Sequence, residues 1–166
     1  MRVAIGCDHI VTDIKDHVKK YLEKKGFEVI DCGTYDFIRT HYPIYGKKVG
    51  SLVSNKEVDC GIVLCGTGVG ISNAASKMKG VRCALVGDVQ TTKYMKEELD
   101  CNVLAFGGRV IGIGMIEDII DIYFETEYKG NNKELISKIN ELGFVNNDED
   151  FFDEFLMKWD NGEYHD

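Results

Sequence analysis

One short stretch of this chain concentrates its chemistry: Cys65-Gly66-Thr67-Gly68-Val69-Gly70. Three alternating glycines let the main chain turn sharply and aim several N–H groups at one point. A helical pattern that begins near Val69 adds the positive end of a helix. The result is a small anion site with a thiol at its rim. A thiol beside a helix N-terminus gives up its proton more readily than a free one, so Cys65 can serve as a base. It can take a proton from a carbon next to a carbonyl while the N–H groups hold the enediolate that forms. Asp8-His9, at the end of an earlier apolar run, can move protons between oxygens of the same substrate. Read alone, that pair is equally an N-cap and a surface histidine.

Other owners of a glycine loop fit less well. A dinucleotide site wants G-x-G-x-x-G, ordinarily after the first strand. Here Gly66, Gly68 and Gly70 are evenly spaced and follow the third strand, although Asp88, 18 residues beyond Gly70, stands about where a ribose-binding acid belongs. A thiol phosphatase would carry arginine six residues after its cysteine, and residue 71 is Ile. No P-loop lysine–serine pair follows. The six cysteines (Cys7, Cys32, Cys60, Cys65, Cys83 and Cys101) form no C-x-x-C pair, which disfavours zinc ribbons and thioredoxin-like sites. The five other than Cys65 read as small buried thiols.

Positioning these residues requires a regular frame. Apolar runs at 2–6, 27–30, 60–64, 81–86 and 103–106 read as strands. Between them, Ile14, Val18, Tyr21 and Leu22 share one helical face that Gly26 can end. Pro43 can open a helix running to about Ser54. Further helices are expected from near Val69, over Thr91–Leu99, and along Ile116, Ile120, Tyr123 and Phe124. The strands are continuous rather than alternating, so both faces are buried, as in a parallel sheet covered by helices. The expected fold is a Rossmann-like three-layer α/β/α sandwich with a five-stranded parallel sheet, in one domain over 1–145. A helical extension of that domain, 146–166, is acidic and carries Phe151, Phe152, Phe155 and Trp159 on one face, with Asp148, Glu149 and Asp150 suited to its N-terminal end. Docking against the body or another subunit accounts for that stripe better than disorder does. Strand order does not follow from pattern alone. Ligands of such sheets bind beyond the carboxyl ends of the strands, which here carry Asp8-His9, Asp31 to Thr34, the Cys65 loop, Gly87-Asp88 and Gly107-Gly108-Arg109.

Composition narrows the class. Of 166 residues 44% are apolar and 29% charged, with a single proline, so the chain can build a core without disulfides. The net charge is -8, yet residues 146–166 hold eight acids and one base, leaving a nearly neutral body. That balance argues against a nucleic acid partner and against an anionic membrane surface. No apolar run approaches the roughly 20 residues of a bilayer span, and the first residues break into Gly6-Cys7-Asp8 too soon for a signal sequence. A cytoplasmic protein is expected.

Taken together, Gly6-Cys7-Asp8-His9, Arg39-Thr40-His41-Tyr42-Pro43, Cys65-Gly66-Thr67-Gly68-Val69-Gly70-Ile71 and Asn102-Val103-Leu104-Ala105-Phe106-Gly107-Gly108-Arg109 resemble the B-type ribose-5-phosphate isomerase and galactose-6-phosphate isomerase family. The match is collinear from residue 1 to about 129, and the ending Glu154 to Asp166 resembles the galactose-6-phosphate branch. The resemblance implies interconversion of D-galactose 6-phosphate and D-tagatose 6-phosphate through a cis-enediolate, in the tagatose branch of lactose and galactose breakdown, without metal or organic cofactor. It implies Cys65 as the proton-transferring base, assisted by Thr67, with Asp8 and His9 on the sugar hydroxyls and in ring opening. The main chain of Gly66, Gly68, Val69 and Gly70 becomes the anion hole. Arg39 and Arg109 are candidate sugar or phosphate contacts, against plain roles as a surface charge and a subunit contact.

The departures from that family are informative. Ribose-type members carry a ring-opening histidine shortly before the fifth strand, and the aligned position here is Glu98. They also carry an arginine-rich phosphate segment after the last long helix, where this chain reads Tyr128-Lys129-Gly130-Asn131-Asn132-Lys133. Lysine can meet phosphate as a point charge but lacks the bidentate fork. In the family those groups come from a neighbouring subunit, so the resemblance implies an unlike (A) subunit that supplies the histidine and arginines. The alternatives are a homo-oligomeric ribose-5-phosphate or allose-6-phosphate isomerase, a nucleotide-binding regulatory module using the glycine loop, or a scaffolding subunit.

Overall fold

The computed structural model describes residues 1–141, 157–158 and 161–163. β1 (Arg2–Cys7) leads through one 3-10 turn (His9–Val11) into α1 (Thr12–Lys24). β2 (Glu28–Asp31), a loop over 32–41, α2 (Tyr42–Ser54) and β3 (Cys60–Cys65) follow. The chain then forms α3 (Val69–Ala75), β4 (Cys83–Leu85), α4 (Val89–Leu99), β5 (Val103–Gly107), α5 (Ile113–Glu125) and α6 (Lys133–Glu141). All strand pairs are parallel, in the order β2-β1-β3-β5-β4.

Alternation along each strand divides the core in two. Val3, Ile5, Ile62, Leu64, Leu104 and Phe106 pack with Val18, Leu22, Ile116, Ile120 and Tyr123, beneath α1 and α5. Ala4, Val63, Cys65, Val103 and Ala105 pack on the other face with Ile44, Tyr45, Val49, Ile71 and Ala75, beneath α2 and α3. Both faces are covered, which is why the strand sequences are unbroken apolar runs. The three-layer sandwich and the five parallel strands expected from sequence are present.

Boundaries moved where hydrogen bonding decided them. β1 and β3 each run one residue further than their apolar runs, because Cys7 exchanges main-chain bonds with Gly33 and Thr34 and Cys65 stays in register with Gly107. β4 is shorter than 81–86, because the Asn102 amide occupies the turn before it: its Oδ1 accepts the Arg82 N–H at 2.8 Å and its Nδ2 donates to the Gly80 carbonyl at 3.0 Å. α6 was not anticipated; it buries only Ile136. Phe151, Phe152, Phe155 and Trp159, with Asp148, Glu149 and Asp150, lie outside the described residues. No helix among the described residues is long and apolar enough to cross a membrane.

Candidate active site

From β1 the chain moves to β2 on one side of it, while β3 lies on the other, so a crevice opens where their carboxyl ends part. Those ends carry Asp8-His9 and Cys65. The Asp8 N–H donates to the Leu64 carbonyl at 3.3 Å, one residue before Cys65. Cys65 points toward α2 and α3, 5% exposed, and its Sγ accepts the Gly68 N–H at 3.0 Å. An N–H aimed at sulfur stabilises negative charge there.

That turn depends on two glycines pressed main chain to main chain. Gly68 has φ +81°, and a Cβ on it would stand 2.5 Å from Leu85 Cδ1 and 2.7 Å from the Phe106 carbonyl carbon. A Cβ on Gly107 would stand 2.7 Å from both the carbonyl carbon and the oxygen of Thr67. The loop is tied down further by Gly108 N–H to Cys65 O at 3.0 Å and Arg109 N–H to Gly66 O at 3.1 Å. Thr67 Oγ1 accepts the Val69 N–H at 3.3 Å. The Tyr42 ring lies over Gly70 so closely that a Cβ there would be 2.5 Å from it.

Asp8 is 4% exposed and caps the 3-10 turn, accepting the Ile10 N–H at 3.1 Å. Burial pushes its carboxyl above the ordinary 3.8, against the pull of that N–H and of the charges of His9 and Arg109. His9 turns its Nδ1 to the main chain of Thr40, 3.1 Å from the carbonyl oxygen and 3.2 Å from the N–H. The nitrogen accepts from Thr40 N–H when unprotonated and donates to Thr40 O when it carries hydrogen, which leaves Nε2 for a ligand. Thr40 is itself held, its hydroxyl 3.1 Å from the Tyr45 hydroxyl. His9, Ile10, Asp13, Phe37, Gly108 and Arg109 line an open cavity of about 680 Å³.

The structure therefore brings together Cys65, Gly66, Thr67, Gly68, Val69, Gly70, Asp8, His9 and Arg109 around the ends of β1, β3 and β5. Arg39 is exposed on the 32–41 loop, next to Thr40, and its charge helps lower the pKa of half-buried His41 from 6.5 behind the larger effect of burial. Cys7, Cys60 and Cys83 are pushed up to about 12 by burial, and Cys32 and Cys101 to about 11, as inert thiols should be. Asp88 caps α4, accepting the Thr91 N–H at 2.7 Å and hydroxyl at 2.8 Å, which removes the acid that a dinucleotide reading would use. Sequence reasoning missed Thr40 as the support of His9, Phe37 as cavity lining and Gly107 as the back wall of the loop. Only Gly107 carried a signal, as a glycine at a strand end.

The fold and the site define a small α/β enzyme of the isomerase class. The chain belongs to the Ribose/Galactose Isomerase family, whose model matches residues 3–139. It is 56% identical over 172 residues to galactose-6-phosphate isomerase subunit LacB of Clostridium acetobutylicum, covering 99% of this chain and 98% of that protein. It is 41% identical over 129 residues to ribose-5-phosphate isomerase B of Escherichia coli K12, covering 78% of this chain and 87% of that one. Among solved structures, ribose-5-phosphate isomerase B of Clostridium thermocellum superposes with a TM-score of 0.83 at 39% identity, covering 86% of this chain and 97% of that one. The Mycoplasma genitalium enzyme with bound ribulose-5-phosphate gives 0.80 at 31%, covering 84% and 94%.

Proposed function

We propose that this chain is one subunit of a cytoplasmic galactose-6-phosphate isomerase, with Cys65 as the base that carries a proton between C2 and C1 of the sugar. The observation that carries the chemistry is the Cys65 sulfur, held by the Gly68 N–H at the end of β3, the strand next to the one that leads into Asp8 and His9 at the switch point of the sheet. Cys65 removes the C2 proton of the open-chain aldose, and the electron pair passes to the C1–C2 bond to give a cis-enediolate. Loop N–H groups other than those of Gly68 and Val69, which already point to Cys65 Sγ and Thr67 Oγ1, stabilise its oxyanion. His9 and Asp8 shift the hydroxyl proton from O2 to O1, and the thiol returns its proton at C1 to give the ketose. Thr67 assists at the rim, and Arg109 offers a charge to the phosphate. The hexose assignment is supported by the near-complete match to a galactose-6-phosphate isomerase subunit, against a match to ribose-5-phosphate isomerase B that covers 78% of the chain.

An unlike partner is supported by the opposite end of the sheet. α4 and α5 run from the carboxyl to the amino end of the strands, so Glu98 and residues 128–133 lie away from this chain's own Cys65. These are the positions where the family keeps its ring-opening histidine and phosphate-binding arginines. Here Asn132 Nδ2 donates to the Glu98 carboxylate at 3.2 Å, and Lys129 Nζ lies 2.7 Å from Glu97 and 3.6 Å from Glu98. That cluster is rich in carboxylates and engaged with itself, poorly suited to a phosphate. Exposed Tyr42, Val69, Leu85, Val89, Val110 and Ile113 lie on the segments at the carboxyl end of the sheet, as a surface met by another subunit would require. Co-expression with the neighbouring isomerase-like subunit tests the reading. The complex is expected to isomerise galactose 6-phosphate, and Cys65→Ala to cost about 10²–10⁴-fold in kcat. Turnover of ribose 5-phosphate by the chain alone would replace this reading with a homo-oligomeric pentose isomerase.

A further inference from the structure

We infer that α1 carries a two-residue clamp, Thr12 and Lys15, which positions the His9 ring by holding the loop that presents Thr40. The inference rests on the proposed part of His9 in moving protons between sugar oxygens. Lys15 is wholly buried, and its ammonium lies 2.8 Å from both carboxylate oxygens of Asp31, 3.3 Å from Asp16 and 4.9 Å from the centre of the Tyr35 ring. Asp31 passes the restraint on: its Oδ1 accepts the Gly33 N–H at 3.0 Å and its carbonyl accepts the Tyr35 hydroxyl at 2.9 Å. One turn earlier on the same face of α1, the Thr12 hydroxyl donates to the Asp36 carbonyl at 2.8 Å. The loop is thereby fixed at Gly33, Tyr35 and Asp36, and its far end delivers both main-chain groups of Thr40 to His9 Nδ1.

Between these anchors the loop gains little from apolar packing, since Tyr35, Phe37 and Ile38 are all exposed. Its course therefore depends on polar contacts, with Cys7 of β1 at Gly33 and Thr34 and with α1 beyond them. A buried lysine–carboxylate pair is a poor way to gain stability, because desolvation offsets most of the attraction. It is a good way to set direction, because both Asp31 oxygens and the ammonium have one arrangement that satisfies them. Lys15 and Thr12 touch no substrate in this scheme; Lys15 acts through the loop and Thr40, and Thr12 acts both through the loop and through its own hydroxyl, 3.4 Å from the His9 carbonyl oxygen.

The test uses the two-subunit complex with ¹⁵N-histidine in this chain, the His9 ring signals being assigned by their loss in His9→Asn. Thr12→Val, which keeps shape and removes the hydroxyl, is expected to change the His9 tautomer balance. It should also lower kcat about tenfold, since sub-ångström misplacement is costly at a reacting centre, with KM within about twofold. Thr12→Ser should restore both readouts. The paired change Lys15→Met with Asp31→Asn, which leaves no lone buried charge, should act in the same direction. Unchanged His9 signals and kcat in both Thr12→Val and the paired variant would overturn the clamp. A shifted ring with full kcat would support the clamp and instead remove His9 from the proposed reaction.

Discussion

Gly107→Ala offers a quantitative test of the glycine loop, because both surfaces it would force apart are main chain. The added methyl would stand 2.7 Å from the Thr67 carbonyl carbon and oxygen and 2.9 Å from its Cα, where ordinary contact begins near 3.4 Å. No flexible side chain can swing aside, so Thr67 must retreat by about 0.7 Å. It would take with it Gly68, whose N–H sits 3.0 Å from Cys65 Sγ. Misplacement by about 1 Å costs roughly 100-fold at a reacting centre, so a fall of about 30–100-fold in kcat/KM is expected, about 2–3 kcal/mol in barrier. Overpacking should also cost about 1–3 kcal/mol of stability, at about 2–4 °C in Tm per kcal/mol for a chain of this size. Gly61→Ala is the control. Its methyl would meet Val49 Cγ1 at 2.5 Å at the other end of β3, so it should lose comparable stability and keep its activity per folded molecule. The assay is galactose 6-phosphate turnover by the two-subunit complex, normalised to the folded fraction by calorimetry. Gly107→Ala within about threefold of wild type, or equal activity losses in both variants, would refute the idea that this main-chain contact sets the site.

Gly70→Ala should behave differently, because the obstacle is the partly exposed Tyr42 ring, which can move into solvent. Stability should change by less than about 1 kcal/mol, while KM for the sugar phosphate rises as the ring leaves the loop, an effect Tyr42→Ala should copy. Asp8 carries a pKa raised by burial, so its contribution to stability is present below its ordinary 3.8 and lost as pH rises through the folded value. Asp8→Asn keeps an acceptor for the Ile10 N–H and should therefore raise Tm at pH 7 by about 2–4 °C while lowering kcat. For Asp31 burial would raise the pKa, but Lys15, the Gly33 N–H and Lys19 hold it below 3.8. For Lys15 burial would lower it, but Asp31 and Asp16 hold it above 10.5. The first contribution is lost as pH falls through the depressed value and the second as pH rises through the elevated one. Calorimetry below about pH 4 should then show Tm falling faster in wild type than in the Lys15→Met, Asp31→Asn pair.

Much of the frame was legible because each strand is buried on both faces. Runs such as Cys60–Leu64 cannot be anything exposed, and Ile14, Val18, Tyr21 and Leu22 repeat at a spacing that only a helix brings to one side. The glycine–cysteine loop was legible for a related reason, since sharp turns restrict residue type. Strand order was not, because nothing in a local run says that β5 inserts between β3 and β4. The support of His9 was hidden too: Thr40 acts through its main chain, which any residue possesses, and it sits 31 positions away. Lys15 reads in sequence as one more surface charge on α1, and only the fold seals it against Asp31. Contacts made by main chain, or by side chains whose partner is distant, leave no mark in spacing.

The two ends of the sheet supply a physical reason for the unlike companion proposed above. In a two-fold dimer of identical chains, each face meets its own copy. If the halves of a site join across that axis, as the family resemblance implies, this chain would set Glu97 and Glu98 beside a substrate that carries a phosphate and develops an enediolate. Two carboxylates near those charges would raise the barrier through the same electrostatics by which the Gly66–Gly70 main chain is proposed to lower it. Lys129 does not rescue such a site, because its ammonium is already shared between Glu97 and Glu98. A partner that presents cations at the matching positions would remove the repulsion and add attraction, so one charge pattern would favour the mixed pair and disfavour the symmetric one. On this reading, what looks like the loss of half a site at residues 98 and 128–133 is a device for choosing a partner.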